Sequence, residues 1–330
     1  MRDQVFRTRI TDLFGIRHPI LCGGLFLLAD ARYVAAAVGV GGMGFITALS
    51  FPDDPEDFRR EIRKCRTLTG GKPFGVSLAF SARPGMEDRI APYVAIAAEE
   101  RVRFVETSGG NPSRFLPILK EAGCIVMHKV PAVRYAETAQ RMGVDAICVV
   151  GAEAGGHPGI YMVGNMVQAA LAARTLTLPL AIGGGMGTGS HLVTALAMGA
   201  DAILVGSRML AAREIWAHPA YKERVIGASE NDTRVVMQIF RDNHRVLDNE
   251  AARAVAALEA AGERDFAAYR ALVSGRSTRM AYETGDLSRG MIDLGPAVAF
   301  VTESETVEAI FDRLIDEAVA AADRVTALRR

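Results

Sequence analysis

Neither sign of charge is in excess in this chain. Lys+Arg and Asp+Glu each number 38 among 330 residues, so no overall field draws nucleic acid or an anionic membrane. Cysteine is scarce as well. Cys22, Cys65, Cys124 and Cys148 have no CxxC spacing and lie mostly in apolar, strand-like contexts, which argues against a metal site or a disulfide framework and for small core residues. A long unbroken apolar run is also missing. The uncharged stretch 34–51 is interrupted by Gly39, Gly41, Gly42 and Gly44, which fits a helix, a turn and a buried strand better than a membrane span. Charges interleave the first nine residues where a signal peptide carries an apolar core. The expectation is a cytoplasmic protein with no nucleic-acid or membrane partner, acting on a small molecule.

What is present is half hydrophobic and 23% charged, enough for a large core. Apolar runs of strand length recur at 19–22, 44–48, 74–80, 102–106, 124–128, 146–150, 180–183 and 202–206. They lack polar alternation, as strands covered on both faces do. Helix-patterned segments separate them, for example 54–66, 112–122, 133–142 and 191–198. Eight strands with seven intervening helices predict a (β/α)8 TIM barrel, with an open doubly wound sheet as the competing arrangement. The segment 143–149 echoes 199–205, each with a glycine that ends a helix and an aspartate that opens a strand. Beyond Arg213 the pattern changes: from roughly 219 to 275 the sequence is charged, alanine-rich and helix-periodic with no strand candidate. The predicted organisation is a barrel over 1–213, a small helical insertion domain after strand eight over 214–277, and a C-terminal segment over 278–330. That last segment includes an amphipathic helix at 303–328 that returns to cover the barrel.

Two glycine clusters end predicted strands. Gly151, Gly155, Gly156 and Gly159 surround His157, clearing side-chain volume beside an imidazole able to act as a base near neutral pH. His157 is the candidate catalytic residue, against the alternative of a satisfied structural histidine. Gly183, Gly184 and Gly185 end the seventh strand, and Gly206-Ser207 the eighth. In a barrel those two strand ends hold phosphate. The amides of Gly184, Gly185, Gly206 and Ser207 form the candidate cradle, with the Ser207 hydroxyl and Met209 amide as additions. Lys129 closes strand five and either snorkels to water or sets a charge over the site. Glu106 to Gly110 ends strand four and offers polar contacts or a helix cap. The loop 81–88, with Arg83, mixes Gly, Pro and charge as a lid or an ordinary surface loop would.

Together these motifs resemble the nitronate monooxygenase family of FMN-containing barrels. The likeness runs from His18-Pro19-Ile20 and Gly23-Gly24 through Gly41-Gly42-Met43-Gly44, Phe74-Gly75-Val76-Ser77-Leu78, Val105-Glu106-Thr107, His128-Lys129, Gly155-Gly156-His157-Pro158-Gly159 and Gly183-Gly184-Gly185 to Val205-Gly206-Ser207-Arg208. It is similar in particular to the branch holding NAD(P)H:quinone reductases. The resemblance implies non-covalent FMN, its phosphate at Gly184, Gly185, Gly206 and Ser207, with Lys129, Gly23 and Gly24 beside the ring. Ser77, Gly155, Gly156 and Gly183 are carried over as further cofactor-binding positions, and His157 as the histidine over the flavin. The chain departs from the pattern in Leu21-Cys22 before the first glycines, in Ser77 where asparagine is common, and in 294–298, which lacks Ser and Gln.

The implied activity is an FMN-dependent oxidation of a small organic donor such as a nitronate with O2. The alternative is an NAD(P)H-dependent flavin reductase acting on quinones or an enoyl thioester, with NADH or NADPH as co-substrate. A flavin-binding sensor whose insertion docks another chain is the non-enzyme alternative, and a homodimer stays open. A dehydrogenase with a catalytic cysteine after strand six is excluded, because residues 151–165 contain none.

Overall fold

Eight strands close into a parallel barrel in this computed structural model, which describes residues 3–80 and 87–329. They are β1 (Ile20–Cys22), β2 (Met43–Thr47), β3 (Gly75–Phe80), β4 (Phe104–Gly109), β5 (Ile125–Val130), β6 (Ala146–Val150), β7 (Leu180–Gly183) and β8 (Ala202–Val205). Each pairs with the next in sequence, and β8 closes on β1. The sequence reading of the barrel therefore holds, with strand four running three residues further than expected. A helix, α1 (Arg9–Phe14), precedes β1. The seven connections are α2 (Ala31–Gly39), α3 (Pro55–Leu68), α4 (Ala91–Glu99), α5 (Leu116–Glu121), α6 (Val133–Met142), α7 (Asn165–Thr175) and α8 (Gly189–Ala197). Of the loop 81–88, residues 81–86, Arg83 included, lie outside the described residues.

Alternation along the strands divides the barrel into two cores. Leu21, Met43, Phe45, Phe104, Met127, Ala146, Cys148, Ala181, Ala202 and Leu204 point inward, while the intervening Val, Ile and Leu residues pack beneath the helices. One end is plugged by α1, whose Ile10 and Phe14 enter the inner core. The Phe14 ring meets Phe104 edge-on at 4.8 Å. All four cysteines are buried and free.

The internal echo has a physical meaning. After the left-handed Gly143 (φ 89°) and Gly199 (φ 97°), Asp145 accepts the Val126 amide at 2.7 Å and Asp201 accepts the Leu180 amide at 2.9 Å. Each carboxylate thus pins the amino end of the preceding strand. Asp201 also holds Arg9 beside α1 at 2.7 Å.

The insertion is helical only in part, which corrects the reading of 219–275 as strand-free. After α9 (Pro219–Ile226), β9 (Thr233–Val236) pairs antiparallel with β10 (His244–Leu247). Then follow α10 (Glu250–Ala260), α11 (Phe266–Tyr269) and α12 (Gly275–Thr284), so the boundary expected at 277 falls inside a helix. Val236, Val246, Ala252, Val255 and Tyr269 form a small core of their own. The hairpin escapes a periodicity reading because its strands are four residues long and carry Arg234, His244 and Arg245. Its turn bends through Met237 (φ 62°) and Arg241 (φ 54°) in left-handed conformations that glycine ordinarily supplies.

The last helix, α13 (Val307–Ala327), seats Ile310, Phe311, Leu314, Ile315 and Ala318 against the barrel and packs on α8 and α2. Gly189 permits the contact: a Cβ there would meet the backbone of Leu314 and Ala318, and its amide donates to Glu317 at 2.8 Å. Gly189→Val is expected to cost about 2 kcal/mol through overpacking, read as a lower unfolding midpoint in denaturant. An unchanged midpoint would refute this seating.

Candidate functional site

At the carboxyl ends of the strands lies a cavity of about 1010 Å³, the position where barrels carry their chemistry. Its floor is polar on one side. Ser77, Glu106 and Lys129 face inward from β3, β4 and β5. Ser77 Oγ and Lys129 Nζ both donate to Glu106 Oε1 at 2.8 Å. Glu106 is fully buried and the Lys129 side chain is 23% exposed. Burial opposes the Lys129 charge, but the Glu106 carboxylate outweighs it and raises the pKa. Glu106 Oε2 has no hydrogen-bond partner among the described residues. Lys129 therefore neither snorkels nor floats; it is tethered as a fixed cation.

The opposite wall is backbone. Gly184 (φ 88°) and Gly185 (φ 73°) turn left-handed after β7. A Cβ on Gly184 would fall 2.8 Å from the Ala154 amide nitrogen, whereas one on Gly206 would enter open space, with nothing nearer than Leu25 at 4.0 Å. The amides of Gly184, Gly185, Gly206 and Ser207 donate to no carbonyl in the turns, loops and caps among the described residues. The Met209 amide, by contrast, donates to Gly206 O at 2.8 Å, so it leaves the predicted cradle. Ser207 Oγ accepts the Gly295 amide at 2.8 Å, which leaves its own proton available. Arg208 points away into a buried pair with Glu305 at 2.7 Å.

The β6 loop forms the third side. Glu153 accepts the Asn165 amide at the start of α7, and Asn165 Nδ2 donates to the Gly183 carbonyl at 2.6 Å. Gly156 and Arg245 exchange two backbone hydrogen bonds of 2.9 and 2.7 Å, so the insertion hairpin extends this loop. The hairpin brings His244 under His157: the rings stack at 4.3 Å and 18°. His244 Nε2 lies 2.6 Å from Asp293 Oδ1, and His157 Nε2 lies 3.7 Å from Asp242. Burial works against the Asp293 charge, but His244, with His157 and Lys129 beyond, lowers its pKa.

Of the predicted site residues, Gly23, Gly24, Lys129, Gly155, Gly156, His157, Gly184, Gly185, Gly206 and Ser207 line the cavity. Ser77 and Gly183 do not. Ser77 props Glu106 from below and lies so near Gly24 that a Cβ there would sit 2.6 Å away; Gly183 packs between Val150 and Leu204. Glu106 is a polar contact and not a helix cap. Sequence reasoning missed Asp242, His244, Tyr282 and Asp293. No local pattern marks them, because the hairpin, α12 and the chain after it deliver them from 85 or more positions beyond His157.

These features define the class: a closed barrel with glycine turns at the ends of β7 and β8, a tethered lysine and an exposed histidine around one large cavity, the plan of a barrel enzyme. Comparison with known proteins gives the family. The family model described as nitronate monooxygenase matches residues 7–317. A Mycobacterium tuberculosis 5-hydroxy-7a-methyl-1-oxo-octahydro-indene-4-carboxyl-CoA dehydrogenase is 31% identical over 245 residues, 74% of this chain and 67% of that one. A Pseudomonas aeruginosa nitronate monooxygenase is 27% identical over 283 residues, 73% of this chain and 80% of that one. Among solved structures, FabK from Thermotoga maritima superposes with a TM-score of 0.90 at 32% identity, covering 98% of this chain and 100% of that one. The chain belongs to the nitronate monooxygenase family and is an FMN-dependent oxidoreductase of that type. Among the described residues no helix is long and apolar enough to cross a membrane.

His128, next to Lys129 but facing outward, bonds Thr107 Oγ1 through Nδ1 at 2.8 Å. Burial pushes its pKa from the ordinary 6.5 to about 4. The folded state thus holds it neutral while the unfolded chain takes a proton first. Its contribution is complete above pH 6.5 and is lost as pH falls through about 4, about 3 kcal/mol in all. His128→Gln is expected to flatten the acid slope of stability across that window, followed by denaturant unfolding at several pH values; an unaltered slope would contradict a buried neutral imidazole.

Proposed function

We propose that the cavity holds FMN and that the enzyme oxidises a nitronate, or a nitroalkane deprotonated in place, with O2. The observation carrying this reading is that four unengaged amides at the ends of β7 and β8 share one cavity with His157 and Lys129. The fit is chemical: amides at left-handed glycines and a 3-10 turn suit a phosphate, and the open face of Gly206 leaves room for it. Gly184, Gly185, Gly206 and Ser207 would hold the phosphate, and Gly23, Gly24, Gly155 and Gly156 would let the flat ring approach the backbone. Bound FMN supplies oxidation of an electron-rich carbon donor and delivery of the electrons to O2.

The protein's own groups do the rest. Lys129, kept cationic by Glu106, stabilises negative charge at the cavity floor. His157 takes the α-proton of a neutral nitroalkane onto its imidazole, the C–H electron pair passes to the nitro oxygens, and Asp242 stabilises the imidazolium formed. His244, held by Asp293, keeps the His157 ring in plane. Phe26, Phe240 and Phe266 line the cavity and exclude water around the donor.

A second reading is an NAD(P)H-dependent reductase acting on a quinone or an enoyl thioester. It draws on the size of the cavity, generous for a nitronate beside a flavin, and on the carboxyl-CoA named for the Mycobacterium relative.

Purified protein is expected to carry flavin and to consume O2 with propyl-2-nitronate in the absence of pyridine nucleotide. Flavin bleached anaerobically by NADH or NADPH, and inert to nitronate, would move the assignment to the reductase. His157→Asn is expected to keep flavin and nitronate turnover but to lose turnover of neutral nitroalkane by about 10²-fold or more; unchanged nitroalkane turnover would remove the base. Gly184→Asp sets a carboxylate in the cradle on a left-handed backbone and is expected to empty the flavin site; full flavin content by absorbance would refute the cradle.

A further inference from the structure

Tyr282 carries a hydroxyl that the cavity leaves unspent. It stands on α12, is 1% exposed and borders the cavity. Two edge-on ring contacts fix its orientation, to Tyr221 at 5.0 Å and 72° and to Trp216 at 6.4 Å and 89°. No hydrogen-bond partner for its hydroxyl exists among the described residues. The Tyr221 hydroxyl also lacks a partner among the described residues, but it is sealed in the core, where no ligand reaches. Leaving a buried hydroxyl unsatisfied is costly, and a cavity-facing one has a remedy a sealed one does not: a ligand.

Several other polar side chains of the site are committed. Ser77 and Lys129 donate to Glu106, His244 is held by Asp293, and His157 is assigned above to take a proton. When that proton leaves carbon, charge develops on the substrate's oxygens; with Ser207 assigned above to the phosphate, Tyr282 is a hydroxyl, held in place by its ring contacts, that can receive it. Burial, then Tyr221 and Asp293, hold the Tyr282 pKa well above its ordinary value, so the phenol stays a donor at any working pH.

We infer that the Tyr282 hydroxyl donates a hydrogen bond to an anionic oxygen of the substrate, making the cavity selective for donors with a delocalised oxyanion such as a nitronate. The inference rests on the nitronate reading for its substrate but not for its anion site. It assigns Tyr282 to substrate contact, paired with His157 as proton acceptor.

Tyr282→Phe keeps both ring contacts and removes only the donor. In FMN-loaded protein, the dissociation constant of nitrate, a flat anion with the oxygens of a nitronate head, is measured calorimetrically, beside KM and kcat for propyl-2-nitronate. Both the nitrate constant and KM are expected to rise about ten- to a hundredfold, with flavin content and melting unchanged. Unchanged values, absent nitrate binding in the parent protein, or loss of flavin from the variant would each overturn the assignment. A parent that binds nitrate through Tyr282 yet oxidises no nitronate would uphold the anion site and remove only the reaction proposed above.

Discussion

Close backbone approach at the carboxyl ends of β6, β7 and β8 is the constraint from which the site follows. A Cβ on Gly155 would lie 2.8 Å from both Leu294 and Gly295, one on Gly184 2.8 Å from Ala154, and one on Gly295 2.6 Å from the Glu153 carbonyl. Three strand-end loops and the segment after α12 can meet only because these positions lack side chains. The same contact lets Ser207 Oγ accept the Gly295 amide and sets Asp293 where His244 reaches it. The glycines here provide proximity more than flexibility: they turn separate loops into one wall and free particular amides to face inward.

That wall also explains why the insertion belongs to the site. Arg245 pairs with Gly156, Val246 with Asp293, and the Leu247 amide with the Ile292 carbonyl at 2.8 Å. Strand β10 is thus stitched on one side to β9 and elsewhere to both the histidine loop and the C-terminal segment. A hairpin held only by its own small core would be marginal alone. Fixed at these points, it presents Phe240, Asp242 and Asn243 to the cavity, and Asn243 Nδ2 donates to the Gly159 carbonyl at 3.1 Å, bracing the loop beyond His157.

What the sequence made legible was what local pattern dictates. Two-sided burial wrote the eight strands as apolar runs, and the glycine clusters marked the ends of β6 and β7 because steric need there falls on consecutive residues. The roles of Ser77 and Met209 were not legible. Whether a hydroxyl faces a ligand or a neighbouring strand, and whether an amide is free or closes a 3-10 turn, depends on register and on ψ, not on residue type. Likewise His244 and Asp293 are ordinary surface-pattern residues in sequence, 87 and 136 positions beyond His157 by number. Only a non-local pairing of short strands, the interaction least visible to periodicity, brings them under its ring.

The Glu106–Lys129 pair bears on function more than on stability. A buried ion pair seldom outperforms apolar packing of the same volume, since desolvation consumes most of its attraction, and this one leaves Glu106 Oε2 without a hydrogen-bond partner among the described residues. Yet the surrounding inner core is small and apolar at Cys148, Ala146 and Ala181, so an all-apolar floor was sterically available. What the pair provides is a cation held within a cavity, unable to swing to water because its carboxylate lies one strand away. In the function proposed above, the fixed positive charge on the floor, the amides at the ends of β7 and β8 and the His157 imidazole together suit ligands that are anionic or become so. The phosphate and the nitronate proposed above would both meet that condition.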